Sequence, residues 1–442
     1  MSNHRVAHDA SAMPSFAEAF AVWTRIGLLS FGGPAGQIAL MHRTLVEEKK
    51  WLSERRFLNA LNFCMLLPGP EAMQLATYAG WLMHGVRGGV AAGLMFVLPG
   101  ATVIFALAII YAMVGAMPVV EAVFIGIKAA VLVIVLQALL KVAGRTLHRP
   151  LHWGIAGVAF AALFLFSVPF PLVVLGAAVV GLIFLREMRE SADPPATPTT
   201  DRRTIPLRQT LGTVALWGTL WLAPLGILIA ALGADHVLSQ AAIFFSQLAV
   251  VTFGGAYAVL AYMAQEVVEG YRWLTAGEVL DSLGLAETTP GPLILVNQFV
   301  GTLAAARDGG GLSVATGLAG AIVTLWATFV PCFLWIFAGA PYIERAGEVV
   351  WLNAALSGVT AAIVGVIANL SLWFAVQVLF AEVGRVTLGP LQTLRPIWTT
   401  LDLVAVALTG VAGVLMLRLG TGIITTLAVC ATLAGAWWAG GW

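Results

Sequence analysis

Long stretches of this chain run for more than 20 residues without Asp, Glu, Lys or Arg, among them Gly88–Val120, Trp153–Leu185, Leu312–Ile343, Val349–Ala381 and Leu419–Trp442. A helix needs about 20 apolar residues to cross the hydrocarbon core of a bilayer. In lipid every backbone N–H and C=O must be paired internally, so only helices and closed barrels span it. These runs are too long and unbroken for barrel strands of about 10 residues. The expected fold is therefore an all-α polytopic membrane protein. Charged residues make up 10% of the chain, against about 25% in a soluble domain.

Within this apolar background, residues 31–70 recur at 253–292 in register, at an offset of 222. Phe31-Gly32-Gly33 returns as Phe253-Gly254-Gly255, Trp51-Leu52 as Trp273-Leu274, and Pro68-Gly69-Pro70 as Pro290-Gly291-Pro292. The repeat continues at an offset of 232, aligning Pro99 with Pro331, Gly126 with Gly358 and Ala129-Ala130 with Ala361-Ala362. An insertion near Asp308–Gly311 and in the following helix accounts for the change. Duplicated halves with glycine- and proline-broken segments are the pattern of a transporter whose site lies at the breaks.

The expected organisation is a first repeat over 1–185, a polar linker over 186–208, a connecting membrane helix over 209–234 and a second repeat over 235–442. Each repeat reads as two broken segments followed by about four plain ones. The broken segments are 16–46 and 57–83, then 238–268 and 278–303. The plain ones are 89–116, 120–141, 153–167 and 169–185, then 312–339, 350–380, 397–417 and 420–440.

Loop charge argues topology. If each broken segment crosses once with the N-terminus inside, 13 Lys and Arg lie inside and 8 outside, with Arg25 and Lys128 in the membrane. If each enters and leaves on one side as a re-entrant hairpin, the split becomes 17 and 4, which the positive-inside rule favours. Either way the second half is inverted relative to the first. Under the hairpin model the acidic loop 265–281, with Glu266, Glu269, Glu278 and Asp281, lies outside.

The breaks carry the candidate chemistry. Proline removes a backbone donor and glycine permits positive φ, so the helical ladder stops. A new helix then begins with free N–H groups and the positive end of its dipole. Four such ends meeting near the midplane would bind an anion, with Gly32, Gly33, Gly69, Gly254, Gly255 and Gly291 closest to it. Arg25 and Lys128 lie inside apolar segments and are candidate counter-charges, with snorkelling as the structural alternative. Glu71 and Glu287 adjoin the Pro-Gly-Pro breaks and are candidates for carrying a proton; helix capping is the alternative for Glu71. Gln74, Thr288, Thr289 and Asn297 could line a pathway, or simply bond between helices. The three cysteines have no metal-ligand spacing, so neither a metal nor a cofactor is expected. With a net charge of +1, nothing points to nucleic acid.

At Phe31-Gly32-Gly33-Pro34, Pro68-Gly69-Pro70-Glu71-Ala72-Met73-Gln74, Phe253-Gly254-Gly255 and Glu287-Thr288-Thr289-Pro290-Gly291-Pro292 the chain resembles the chromate ion transporter family in its long, duplicated form. The resemblance implies export of chromate across a bacterial inner membrane, coupled to membrane potential or protons, and with it chromate resistance. Sulfate has the same shape and charge and is the competing substrate. A passive anion channel and a membrane-embedded reductase are the alternative functions, and a homodimer is the assembly left open.

Overall fold

The computed structural model describes residues 14–185, 207–251, 253, 256–342, 350–389 and 391–440. Gly254, Gly255 and nearly all of the 186–208 linker lie outside the described residues. The first half contains α1 (Phe16–Leu29), α2 (Gly33–His42), α3 (Glu54–Cys64), α4 (Glu71–Val114), α5 (Pro118–Thr146), α6 (Pro150–Phe166) and α7 (Phe170–Phe184). The connecting helix α8 (Leu207–Leu232) follows. The second half contains α9 (Val237–Val251), α10 (Ala256–Gln265), α11 (Ala276–Glu287), α12 (Val296–Arg307), α13 (Val314–Gly339), α14 (Val350–Leu379), α15 (Leu403–Gly413) and α16 (Ile423–Ala439). The chain is an all-α polytopic membrane protein, with several long helices of high hydropathy among those described.

The backbone repeats where the sequence repeats. A turn of π-helix follows α2 at Arg43–Glu48 and α10 at Glu266–Gly270. Lys49 N–H then bonds Thr44 O at 3.0 Å, and Tyr271 N–H bonds Glu266 O at 2.8 Å, a pair offset by 222. Lys50 and Arg272 both take the left-handed conformation, with φ of 53° and 56°. Trp51 and Trp273 turn back onto Leu45 O and Val267 O. Ser53 caps α3 and Thr275 caps α11. A left-handed non-glycine residue is strained and persists only where its surroundings hold it; here that hold is present twice.

α4 is one element only by its hydrogen bonds. At His84 and Gly85 its backbone leaves the helical region, and the chain folds back. A β-carbon at Gly93 would lie 2.6 Å from Thr77 Oγ1, 16 residues earlier; in a straight helix those residues would stand about 24 Å apart. Gly80, Gly88, Gly89 and Gly93 give the two arms room to touch, as small residues do between membrane helices. In the second half the same turn is opened by 308–313, between α12 and α13.

The two halves exchange helices. α6 and α7 pack on α14 of the second half, whereas α15 and α16 pack on α5 of the first. The contacts correspond closely: Gly358 on α14 meets the backbone at Ala177 and Gly181, and Gly126 on α5 meets the backbone at Cys430. α8 is peripheral, with only Trp221 and Leu225 buried; Trp217 stacks on Phe333 of α13 at 5.4 Å.

One element departs from the all-helical expectation. Between α14 and α15, β1 (Val383–Leu388) and β2 (Leu391–Pro396) pair as an antiparallel hairpin. Arg385 on this hairpin forms an ion pair with Glu269. The hairpin turns at Gly389, whose φ of +62° suits glycine. The first half bridges the equivalent gap with three residues, 147–149.

Candidate functional site

The breaks in the helices meet across the halves. Gly291 N–H donates to Ser30 O at 2.9 Å, and Gln37 Nε2 donates to Gly291 O at 2.6 Å. The Pro-Gly-Pro turn of the second half is therefore held by the Phe-Gly-Gly break of the first. That turn also lies on α4 beside Pro99: Gly291 would place a β-carbon 3.4 Å from Gly100 Cα. In the first half, Gly69 would place a β-carbon 2.9 Å from Cys332 Sγ on α13, beside Pro331. Gly100 and Cys332 are equivalent at the offset of 232. Each Pro-Gly-Pro turn thus rests on the residue after the helix proline of the other half. Gly69 and Gly291 have φ of +120° and +93°, a conformation that L side chains rarely adopt.

Two glutamines of the first half brace these turns. Gln37 serves the second-half turn, and Gln74 Nε2 donates to Pro68 O at 2.6 Å in the first. Both are buried, and their equivalents are Val259 and Val296. The scaffold is repeated, but its polar lining is not.

Polar atoms without hydrogen-bond partners among the described residues gather on the same elements. They are Gln37 Oε1, Gln74 Oε1, Glu287 Oε2, both amide atoms of Asn297, Gln298 Oε1 and Thr328 Oγ1. Leaving such an atom buried and unpaired costs about 1–3 kcal/mol. Several on the segments flanking the helix breaks are the signature of groups held ready for water or a polar ligand. Glu287 is 3% exposed and accepts a hydrogen bond from Tyr257 Oη at 2.6 Å. Thr288 and Thr289 turn their hydroxyls onto Leu285 O and Ala286 O, closing the end of α11. Glu71 occupies the first turn of α4, where a carboxylate complements the helix dipole.

The two intramembrane cations lie elsewhere. Arg25 is exposed on α1. The packed face of that helix carries Trp23, Ile26 and Gly27, with Gly27 against the backbone of Met95. Arg25 is two residues from Gly27, about 200° around the helix, so its charge points away from the turns. Lys128 Nζ stands 3.5 Å from Asp281 Oδ1 on α11 and is committed to that pair. Gly32 and Gly33 are open, with nothing within 4 Å of a β-carbon on either.

Sequence reasoning passed over Gln37, Tyr257, Thr328 and Cys332, and read Asp281 as a loop charge. Repeat numbering held a signal for one of them, because Cys332 aligns with Gly100 after a shared proline. Gln37 stands four residues past the first Gly-Gly pair, but its partner is 254 residues away. A cavity of about 580 Å³ lies under the β-hairpin between Ser167, Gln265, Trp373 and Arg385. None of the helix breaks lines it.

Comparison with known proteins agrees with this architecture. The model of the chromate transporter family matches residues 17–182 and again 239–436. The chromate transport protein of Pseudomonas aeruginosa is 34% identical over 85% of this chain and 84% of its own length. The probable chromate transport protein of Synechococcus elongatus is 32% identical over 84% of each chain. The chromate transport protein of Cupriavidus metallidurans is 30% identical over 78% of each. No solved structure matches. With both halves matched and relatives above 30% identity over most of their length, the chain belongs to the chromate transporter family.

Proposed function

We propose that the protein is a secondary active transporter that exports chromate across the bacterial inner membrane, and so confers chromate resistance. The observation that carries this reading is the meeting of the helix breaks. Each Pro-Gly-Pro turn of one half rests on the other half, and partnerless buried amides and a carboxylate lie beside the turns. Helix starts and amide donors suit a tetrahedral dianion. Its site would comprise Gly32, Gly33, Gly69, Gly291, Gln74, Thr288, Thr289 and Asn297, with Gln37 added and Gly254 and Gly255 by repeat equivalence. Glu287 is the better proton-linked candidate, being sheltered beside the turn and bonded to Tyr257.

The halves are read as inverted repeats that open the site to one side at a time. Their exchanged helices and repeated backbone turns support that reading. Exposed Arg43, Lys49, Arg55 and Arg56 flank the first-half break, on the side that loop charge assigns to the cytoplasm. Arg43 and Lys49 are paired with Glu48 and Glu18, so the loop's remaining net positive charge is what would gather anions for export.

Chromate uptake into inverted vesicles tests the proposal. Uphill accumulation is expected for the transporter, and equilibration alone would identify a channel. Sulfate competing as strongly as chromate would broaden the substrate class to tetrahedral oxyanions. Wild-type uptake by Gly69→Leu would sink the site assignment.

A further inference from the structure

The halves are not docked alike. α10 and α11 lie against α14 and α5, whereas their equivalents α2 and α3 rest on α4, with Phe63 of α3 also against Gly339 of α13. The contact of α11 with α5 is close. A β-carbon at Gly284 would overlap Ile127 Cγ2 and stand 3.3 Å from Val131 Cγ2. At the same face Asp281, with its side chain 5% exposed, pairs with Lys128 at 3.5 Å and accepts a hydrogen bond from Tyr111 Oη at 2.7 Å. Lys128 and Tyr111 belong to the first half and Asp281 to the second. Close by, Arg307 pairs with Glu278 at 2.7 Å, and Glu278 also closes the cap of α11. No other ion pair among the described residues joins a carboxylate this sheltered.

Repeat numbering maps this contact onto α3 and α14. Asp281 corresponds to Asn59 and Gly284 to Asn62 at the offset of 222; Lys128 corresponds to Thr360 and Ile127 to Val359 at 232. Other helix contacts between halves have visible counterparts: α6 and α7 on α14 match α15 and α16 on α5, and Gly69 on Cys332 matches Gly291 on Gly100. The contact of α11 with α5 has no counterpart of similar extent among the described residues. Instead Arg55, Asn59 and Asn62, spaced four and three residues apart on one face of α3, are exposed. A stripe of an arginine and two amides is costly against lipid, so it faces water or a mating surface.

We infer that Lys128, Asp281 and Tyr111 form a latch that closes α11 onto the first half, and that the opposite state docks α3 on α14 with Asn59 beside Thr360. The inference deepens the transport reading and rests on it. The two latches differ in kind. The one seen closed is an ion pair, and its counterpart is an amide facing a hydroxyl. Releasing α11 separates a sheltered carboxylate from its cation, whereas releasing α3 separates no ion pair. Asn62 in place of Gly284 keeps α3 farther from α14 than α11 is from α5, and the smaller Val359 offsets part of that difference.

Cysteine pairs in the full-length protein in membrane vesicles test this. The native Cys64, Cys332 and Cys430 are all buried. Lys128→Cys with Asp281→Cys, and separately Asn59→Cys with Thr360→Cys, are treated with short bifunctional thiol reagents. Both pairs are expected to cross-link, and each cross-link to stop chromate uptake reversibly. Asp281→Asn is expected to raise the Asn59–Thr360 yield at least about threefold by shifting the population toward the other state. If that variant is scarce in the membrane, Lys128→Gln is read in its place. Failure of the Asn59–Thr360 pair to cross-link in every background, or cross-linking without effect on uptake, would overturn the latch. If the unmodified protein moves no chromate, the transport reading fails instead, while the cross-linking yields still judge the exchange of docking.

Discussion

Gly100→Ala is the sharpest perturbation of the site. A β-carbon at Gly100 would overlap the carbonyl oxygen of Pro290 and stand 3.0 Å from its carbon and 2.7 Å from Leu295 Cδ1, where ordinary contact begins at 3.4 Å. Leu295 can rotate, but the Pro290 carbonyl is backbone, so the turn must retreat by roughly 1 Å. Overpacking of this kind costs about 1–3 kcal/mol. The retreat also strains the Gly291–Ser30 and Gln37–Gly291 hydrogen bonds, each contributing about 0.5–1.5 kcal/mol. Better helix propensity returns about 1 kcal/mol. The net loss is about 1–5 kcal/mol, concentrated at the turn proposed to hold substrate. Thermal unfolding in detergent should show the destabilisation, and vesicle uptake should fall by about tenfold or more. Cys332→Ala at the equivalent position adds no atom and should be far milder, because the first-half turn already accommodates a side chain there. Wild-type stability and uptake in Gly100→Ala, or equal damage from both variants, would refute the argument.

Three further outcomes are expected. Asn297→Leu removes a buried amide with no partner and should raise stability by about 1–3 kcal/mol while abolishing uptake; a lower melting temperature would contradict the reading of Asn297 as held for a ligand. Glu287→Gln should uncouple uptake from an imposed proton gradient, and Tyr257→Phe should do so in part; unchanged gradient dependence in Glu287→Gln would remove Glu287 from the coupling step. Lys128→Met leaves Asp281 unpaired and should cost up to the roughly 3–5 kcal/mol of a broken buried pair, reduced because Lys128 reaches water. Adding Asp281→Leu should recover much of that loss, so additive effects in a double-mutant cycle would count against the pair.

Much of the architecture was legible because a bilayer constrains sequence so strongly. Runs without charge announced the helices, and Gly-Gly and Pro-Gly-Pro announced the breaks, because in lipid a broken ladder needs a residue that breaks it. The β-hairpin at 383–396 was not legible. It lies in a short polar connection, where water relaxes those constraints and Arg385 finds its partner Glu269 over a hundred residues away.

The charged residues were the hardest to assign. Arg25 and Lys128 looked alike in sequence, each a cation in an apolar segment. Arg25 falls about 200° around α1 from the glycine that meets α4, and so faces outward. Lys128 meets a carboxylate supplied by the opposite half.

The sequence by itself determined the apolar helices, the duplication and the places where helices stop, since these depend on local chemistry and on the solvent around the chain. Tertiary structure alone decided that the halves exchange helices, that each Pro-Gly-Pro turn rests on the other half's proline-marked helix, and that Gln37, Glu287 and Asp281 are the sheltered polar groups. Those outcomes depend on contacts between residues as far apart in the chain as Gly126 and Cys430. No local pattern specifies such a contact until packing has brought both surfaces together.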